Sequence, residues 1–158
     1  MATGPLKKQP AHAALYEVDF HLWAQEQGKA LRGKRISDVD WDNVAEEIEA
    51  LGRGDKRSIE SNLGVVLLHL LKWRYQADRR KSGWNSSIIE HRARLKKMVR
   101  ESPSLRGYPA EVLSEEYELA RLKAAAETGL PIDIFPTECP FGIDEVLDAE
   151  FWPDASES

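Results

Sequence analysis

The chain has 158 residues, with 22 Lys plus Arg against 27 Asp plus Glu, a net charge of −5 and a single cysteine. That length suits one domain that buries a core without disulfides or a structural metal, and the lone Cys139 excludes an internal disulfide and any multi-cysteine metal site. The polar start over residues 1–10 has no apolar stretch behind it, and the longest apolar run, residues 65–71, is interrupted by His69 and far too short to span a bilayer, so the cytoplasm is the expected compartment and a membrane is not an expected partner.

Residues 1–12 hold Gly4, Pro5 and Pro10 without periodicity and read as a disordered arm, followed by one helical domain over 13–153 and a disordered tail over 154–158. From Leu15 the spacing of Leu15, Val18, Leu22 and Trp23 predicts a first amphipathic helix ending among Gly28, Gly33 and the Lys34-Arg35 pair. Ser37 to Asp40 offer N-caps for a second, short helix that carries Val44, Ile48 and Leu51, with Gly52 as its C-cap. Asp55 then caps a third helix whose apolar residues, from Ile59 through Leu63, Val66, Leu67, Leu70 and Leu71 to Trp73, occupy almost every azimuth, the mark of a central helix.

Trp84, Ile88, Leu95, Met98 and Val99 define the stripe of a fourth helix, with Arg92, Lys96 and Arg100 one turn apart on what reads as an exposed cationic face. Val112, Leu113, Tyr117, Ala120 and Ala124 define a fifth, ending near Gly129 and carrying the acidic row Glu111, Glu115 and Glu118. Beyond Leu130, four prolines space out short apolar pieces that read as an irregular tail packing its aromatics onto the helices. No segment alternates as a half-buried strand does, so the expected class is all-α, a bundle of about five main helices with a Pro-rich tail.

Charge is unevenly spread. Half of the cations, 11 of 22, fall between Lys72 and Arg106, and the segments 1–71, 72–106 and 107–158 carry −2, +8 and −11. Arg74, Arg79, Arg80, Lys81, Arg92, Lys96 and Arg100, interleaved with Trp73, Tyr75 and Trp84, have the composition of a surface that tracks phosphates and stacks bases. The overall acidity opposes that reading and favours an internal one, in which the Arg92 row faces the acidic fifth helix or tail.

Other constellations are sparser. Glu46, Glu47 and Glu49 match paired carboxylates for a hard metal ion, but the Glu-x-x-His partner of a di-metal bundle is missing, and they suit the positive start of a helix. His21, His69 and His91 fall on three different helices, where a convergent trio could hold zinc, with Glu17 one turn before His21. His69, inside Leu67 to Leu71, reads more simply as a hydrogen-bonded core histidine. Cys139 lies between Glu138 and Pro140, whose neighbourhood raises a thiol's pKa, and is given a packing role. Phosphate loops, nucleophile elbows and His-Glu-x-x-His patterns are absent, so no cofactor and no catalytic residue is assigned.

Several strings recur in an order that resembles one family: Leu15-Tyr16-x-x-Asp19-Phe20-x-x-Trp23, Asn43-x-x-Glu46-Glu47-Ile48-Glu49-x-Leu51-Gly52, and His69-Leu70-Leu71-Lys72-Trp73. They continue with Trp84, Pro103-Ser104-Leu105, Glu127-Thr128-Gly129-Leu130-Pro131, Phe135-Pro136-x-x-Cys139-Pro140 and Leu147-Asp148-x-x-Phe151. Together they resemble the bacterial family catalogued as domain of unknown function twenty-nine, over nearly the whole chain. The resemblance implies a small soluble bacterial protein and transfers no activity. It directs attention to Glu46, Glu47, Glu49, His69, Lys72, Trp73, Arg79 and Trp84, as a shared site or as a polar network in which Glu47 or Glu49 bonds Lys72 or an arginine. The leading expectation is a non-enzymatic interaction or scaffold protein with a protein partner or a second copy. The alternatives are a nucleic-acid-binding protein using the basic window and a metal-dependent enzyme centred on His69.

Overall fold

The computed structural model describes residues 11–155, so the N-terminal arm up to Pro10 and the last three residues of the tail lie outside the described residues. The described residues contain no strand, and none of their helices is long and apolar enough to cross a membrane. The α-helices are α1 (Ala11–Val18), α2 (Phe20–Arg32), α3 (Trp41–Tyr75), α4 (Ser82–Glu101), α5 (Tyr108–Thr128) and α6 (Ile143–Leu147). The class is all-α, as the absence of alternating segments predicts, with five main helices distributed differently along the chain.

The expected first helix is two. Asp19 leaves helical geometry at φ −146° and its side chain accepts the Leu22 amide at 3.0 Å, so it caps a new helix while its own amide still donates to Leu15 O and its carbonyl accepts from the Trp23 amide. Conversely, the expected second and third helices are one. Among the described residues the only glycine with positive φ is Gly129, so Gly52 takes no left-handed C-cap and Asp55 starts nothing. A glycine inside a helix costs about 1 kcal/mol against alanine, whereas ending α3 there would strand up to four carbonyls and four amides. Continuity wins, and α3 runs 35 residues.

Contacts divide the described residues into two compact units between Arg53 and Gly54. In the N-terminal unit, Trp23, Ala30 and Val39 are the buried apolar residues, and they enclose a polar network. Trp23 Nε1 donates to Asp40 Oδ2 at 3.1 Å, Asn43 Nδ2 donates to the same oxygen at 2.8 Å, and the Asp40 amide donates to Gln27 Oε1 at 2.7 Å. Gln27 and Asp40 are both buried. Their satisfaction by one another offsets the cost of removing them from water, which for an unpaired polar group reaches a few kcal/mol.

In the C-terminal unit the expected central helix is present. Ile59, Leu63, Val66, Leu67, Leu70 and Leu71 are completely buried, meeting Ile88 and Leu95 of α4 and Tyr117, Ala120 and Ala124 of α5. Gly129 closes α5 at φ 71°, the left-handed cap its sequence position suggested. The Pro-punctuated tail supplies Phe135, Phe141 and Val146 to the same core through a 3₁₀ turn at Ile132–Ile134 and the five-residue α6. Tyr117 donates its hydroxyl to Pro136 O at 2.6 Å, and Arg121 donates to Phe135 O at 3.0 Å, fixing where the chain turns back.

Candidate functional site

The basic window does not present its cations as one surface. Arg92, taken from the sequence as the first member of an exposed row, is 4% exposed. Its Nε donates to Val146 O at 2.8 Å, Nη1 to Phe151 O at 2.9 Å and Nη2 to Glu145 O at 3.1 Å. Its partners are main-chain carbonyls of α6 and the segment after it, so the expectation that this row faces the tail is met at Arg92 by backbone rather than by acids. Burial lowers the Arg92 pKa, and Asp148 nearby opposes that shift. Glu111 and Glu115 instead stand near Tyr108, whose hydroxyl donates to Glu60 and is pushed up to about 12 mainly by that bond.

Several other cations of the window lie on aromatic rings. Arg80 stacks 4.6 Å from the Trp73 ring while its Nε donates to Trp73 O at 2.9 Å. Trp73 meets Trp152 at 4.8 Å, and the Arg92 guanidinium lies 5.6 Å from the far partner, Trp152, giving an Arg80, Trp73, Trp152, Arg92 ladder. Arg74 lies between the rings of Tyr75 and Phe141. Lys72 Nζ bonds Glu127 at 2.8 Å and sits 4.8 Å from the Trp84 ring, which joins three members of the family strings in one contact.

Arg94 and Lys97 pair within α4 to Glu90 and Glu101. Arg79, Lys81, Lys96 and Arg100 are exposed. Lys81 and Lys96 are separated by fifteen positions at the start of and along α4, about 22 Å at 1.5 Å per residue. The anion-binding set predicted from sequence is thus split into two small groups, with Arg74 and Arg92 withdrawn from it.

The carboxylates of α3 find partners inside the N-terminal unit. Glu47 accepts the Tyr16 hydroxyl at 2.6 Å, a bond that raises Tyr16 to about 12, and Arg53 bonds Glu46 at 2.6 Å with Glu49 at 3.9 Å. The network expected between Glu47 or Glu49 and Lys72 is replaced by these pairs and by Lys72 with Glu127. The arginine that bonds Glu46 and Glu49 lies one to two turns along the same helix.

His21 and His69 are engaged within their own helices and His91 bonds α3. His21 pairs with Gln25 at 3.2 Å, His69 Nδ1 meets Val65 O at 2.9 Å, and His91 Nδ1 meets Asn62 Oδ1 at 2.6 Å. The His91 pKa is lowered, first by burial and then by Arg94 and His69. Among the described residues no three His, Cys, Asp or Glu side chains converge as metal ligands would. Cys139 is half-buried against Phe141 O at 3.3 Å, and burial, more than any carboxylate, raises its thiol pKa.

The feature that sequence reasoning missed is the distribution of apolar surface. Among the described residues, the C-terminal unit buries seventeen apolar residues and exposes four large ones, Ile89, Leu119, Leu122 and Ile134. The N-terminal unit buries three and exposes eight: Val18, Phe20, Leu22, Leu31, Ile36, Trp41, Ile48 and Leu51. On α3, Trp41 is 55%, Ile48 64% and Leu51 72% exposed, whereas Val44 is half-buried.

The reason is rotational. At about 100° per residue, Trp41, Val44, Ile48 and Leu51 share a stripe roughly 80° wide, and Asn43, Glu47 and Ala50 lie about a third of a turn away. The covered side takes in Asn43, Glu47 and Ala50 together with Val44 at the edge of the apolar stripe, through Glu47 to Tyr16 and Asn43 to Asp40. A sequence signal did exist, in that Trp41 continues the Val44, Ile48 and Leu51 stripe one turn further than a short capped helix needs.

No curated protein and no solved structure matches the chain. The strings that link Tyr16 to Glu47 and Lys72 to Trp84 and Glu127 fall inside the match of a family model over residues 15–152, and by that match the chain belongs to the family described as Domain of unknown function DUF29.

Proposed function

We propose that this chain is a non-enzymatic interaction or scaffold protein of the cytoplasm, whose N-terminal unit docks a protein partner on the outward face of α3. The supporting observation is the inversion just described: a unit that buries Gln27 and Asp40 leaves Trp41, Ile48 and Leu51 in water. Single exposed apolar residues are ordinary, but aligned ones over a helix whose covered side is polar mark a face that a partner helps to bury. Large aromatic and aliphatic anchors on one helix are also what a helix-in-groove or helix-pair contact uses.

The test is site-specific photo-crosslinking in cells, with a photoreactive side chain at Ile48 and a control at the exposed Glu118 of α5. A discrete adduct from position 48 that is lost with Leu51→Glu is the expected result. Equal labelling from both positions, or none from 48, overturns the reading. The nucleic-acid reading has less support, because Arg74, Arg80 and Arg92 are held against rings and carbonyls.

A further inference from the structure

Between α4, the start of α5 and the end of α6 lies a cavity of about 380 Å³. That is the lower end of the roughly 300–1,000 Å³ that small-molecule sites occupy. One wall is a single face of α4, with Arg92, Leu95, Lys96 and Val99 spaced over two turns. Pro109 at the start of α5 and Leu147 at the end of α6 face it, and Asp148 and Ala149 follow. Leu95 and Pro109 are buried, and proline has no amide to donate, so the floor is apolar.

Two cations and one carboxylate line this cavity, and they are not equivalent. Asp148 Oδ1 accepts the Glu150 amide at 2.9 Å, and where burial lowers the Arg92 pKa the Asp148 charge opposes it. Three of the five guanidinium N–H groups of Arg92 already go to carbonyls. Arg92 and Asp148 thus balance one another, and Lys96 is left over. Its neighbours Arg94 and Lys97 pair with Glu90 and Glu101, whereas among the described residues no hydrogen bond or ion pair engages Lys96.

We propose that this cavity binds a small organic acid, with its carboxylate on the Lys96 ammonium and its apolar chain or ring against Leu95, Val99, Pro109 and Leu147. A cationic ligand meets a lining of net positive charge, and a neutral apolar one leaves Lys96 unused. Inorganic phosphate gains nothing from the apolar walls and loses water to them without new donors. The chain's net charge of −5 does not prevent the binding, because charges beyond about 8 Å are largely screened at physiological salt. The site uses no residue of α3 and does not depend on the docking face.

The test follows amide chemical shifts of the isotopically labelled full chain on titration with octanoate. Octylammonium supplies the same chain with opposite charge, and acetate the same charge without the chain. Octanoate is expected to move the amides of residues 92–99, Ala110 and residues 147–149 and to saturate at about 0.1–1 mM, while the other two leave them in place up to about 10 mM. Lys96→Glu, at an exposed position, weakens octanoate by about tenfold or more, and Lys96→Arg retains it. Ala149→Trp, also at an exposed position, blocks the cavity without touching the core and abolishes the shifts at unchanged helical circular dichroism. No octanoate shift up to about 10 mM, or shifts confined to other residues, overturns the proposal. So does equal binding of octylammonium or acetate, or a Lys96→Glu or Ala149→Trp chain that binds octanoate as the parent does.

Discussion

Replacing Arg92 by methionine removes a buried cation whose hydrogen bonds all go to backbone. Val146 is completely buried, so its carbonyl loses Nε with no water to take its place, and an orphaned buried acceptor costs about 1–3 kcal/mol. Phe151 is half-buried and Glu145 exposed, so water partly replaces Nη1 and Nη2, and each loss comes to roughly 0.5–1 kcal/mol. Loss of the stack on Trp152 adds roughly 0.5–1 kcal/mol, while methionine retains most of the stem's packing.

The expected destabilisation is therefore about 2.5–6 kcal/mol, with Arg92→Lys in between because one ammonium reaches fewer carbonyls. Urea unfolding followed by tryptophan fluorescence reads it as a lower midpoint at unchanged slope, since Trp73 and Trp152 sit in the ladder. The loss should also persist in 1 M salt, where charge pairs are screened over about 3 Å but bonds to buried neutral carbonyls are not. A change no larger than that of the exposed Arg100→Met, or one erased by salt, would refute this account and return Arg92 to the solvent-facing row.

Two further substitutions test the helix boundaries and a buried acid. Gly52→Ala should stabilise by about 0.5–1 kcal/mol, since a Cβ there meets nothing within 4 Å and the backbone is helical; destabilisation would mean that α3 ends at Gly52 after all. Glu116→Gln should raise the melting temperature at neutral pH and lose that advantage as pH falls below the carboxylate range. Glu116 is held above its ordinary 4.5 by burial first, then by Glu60 and Glu115. Its charged form therefore costs stability once pH rises through the folded value, and its protonated form does not. A melting difference that is flat from acid to neutral pH would dismiss this.

The parts of the fold that follow from side-chain periodicity were readable in the sequence. Residues 59–71 of α3 are apolar at nearly every azimuth and so had to be central, and Gly129 stood where only a left-handed cap ends α5. What the sequence hid depends on backbone partners or on what lies opposite a face. Arg92, Lys96 and Arg100 look equivalent at four-residue spacing, yet only Arg92 meets the carbonyls of α6, and carbonyls leave no trace in a sequence. Gly52 reads as a stop when the long apolar helix is started at Asp55, whereas the hydrogen-bond ladder tolerates it. Tyr16 and Glu47 were both inside family strings, but their contact spans 31 residues and neither spacing nor charge predicts it.

The charge asymmetry also takes a different physical form from an acidic third folded over a basic one. Of the carboxylate partners held by the 72–106 window, Glu90 and Glu101 come from α4 itself and only Glu127 from the −11 segment. Exposed pairs one turn apart contribute about 0.3–0.5 kcal/mol each, too little to organise the unit. The cations that matter to packing, Arg74, Arg80 and Arg92, are instead held by ring faces and, for Arg80 and Arg92, by peptide carbonyls, so most acids of α5 and the tail stay on the surface. A surface that keeps its net negative charge repels phosphates and acidic proteins alike. An aligned feature left for recognition among the described residues is then uncharged: Trp41, Ile48 and Leu51, exposed on one side of α3, which attract by burial.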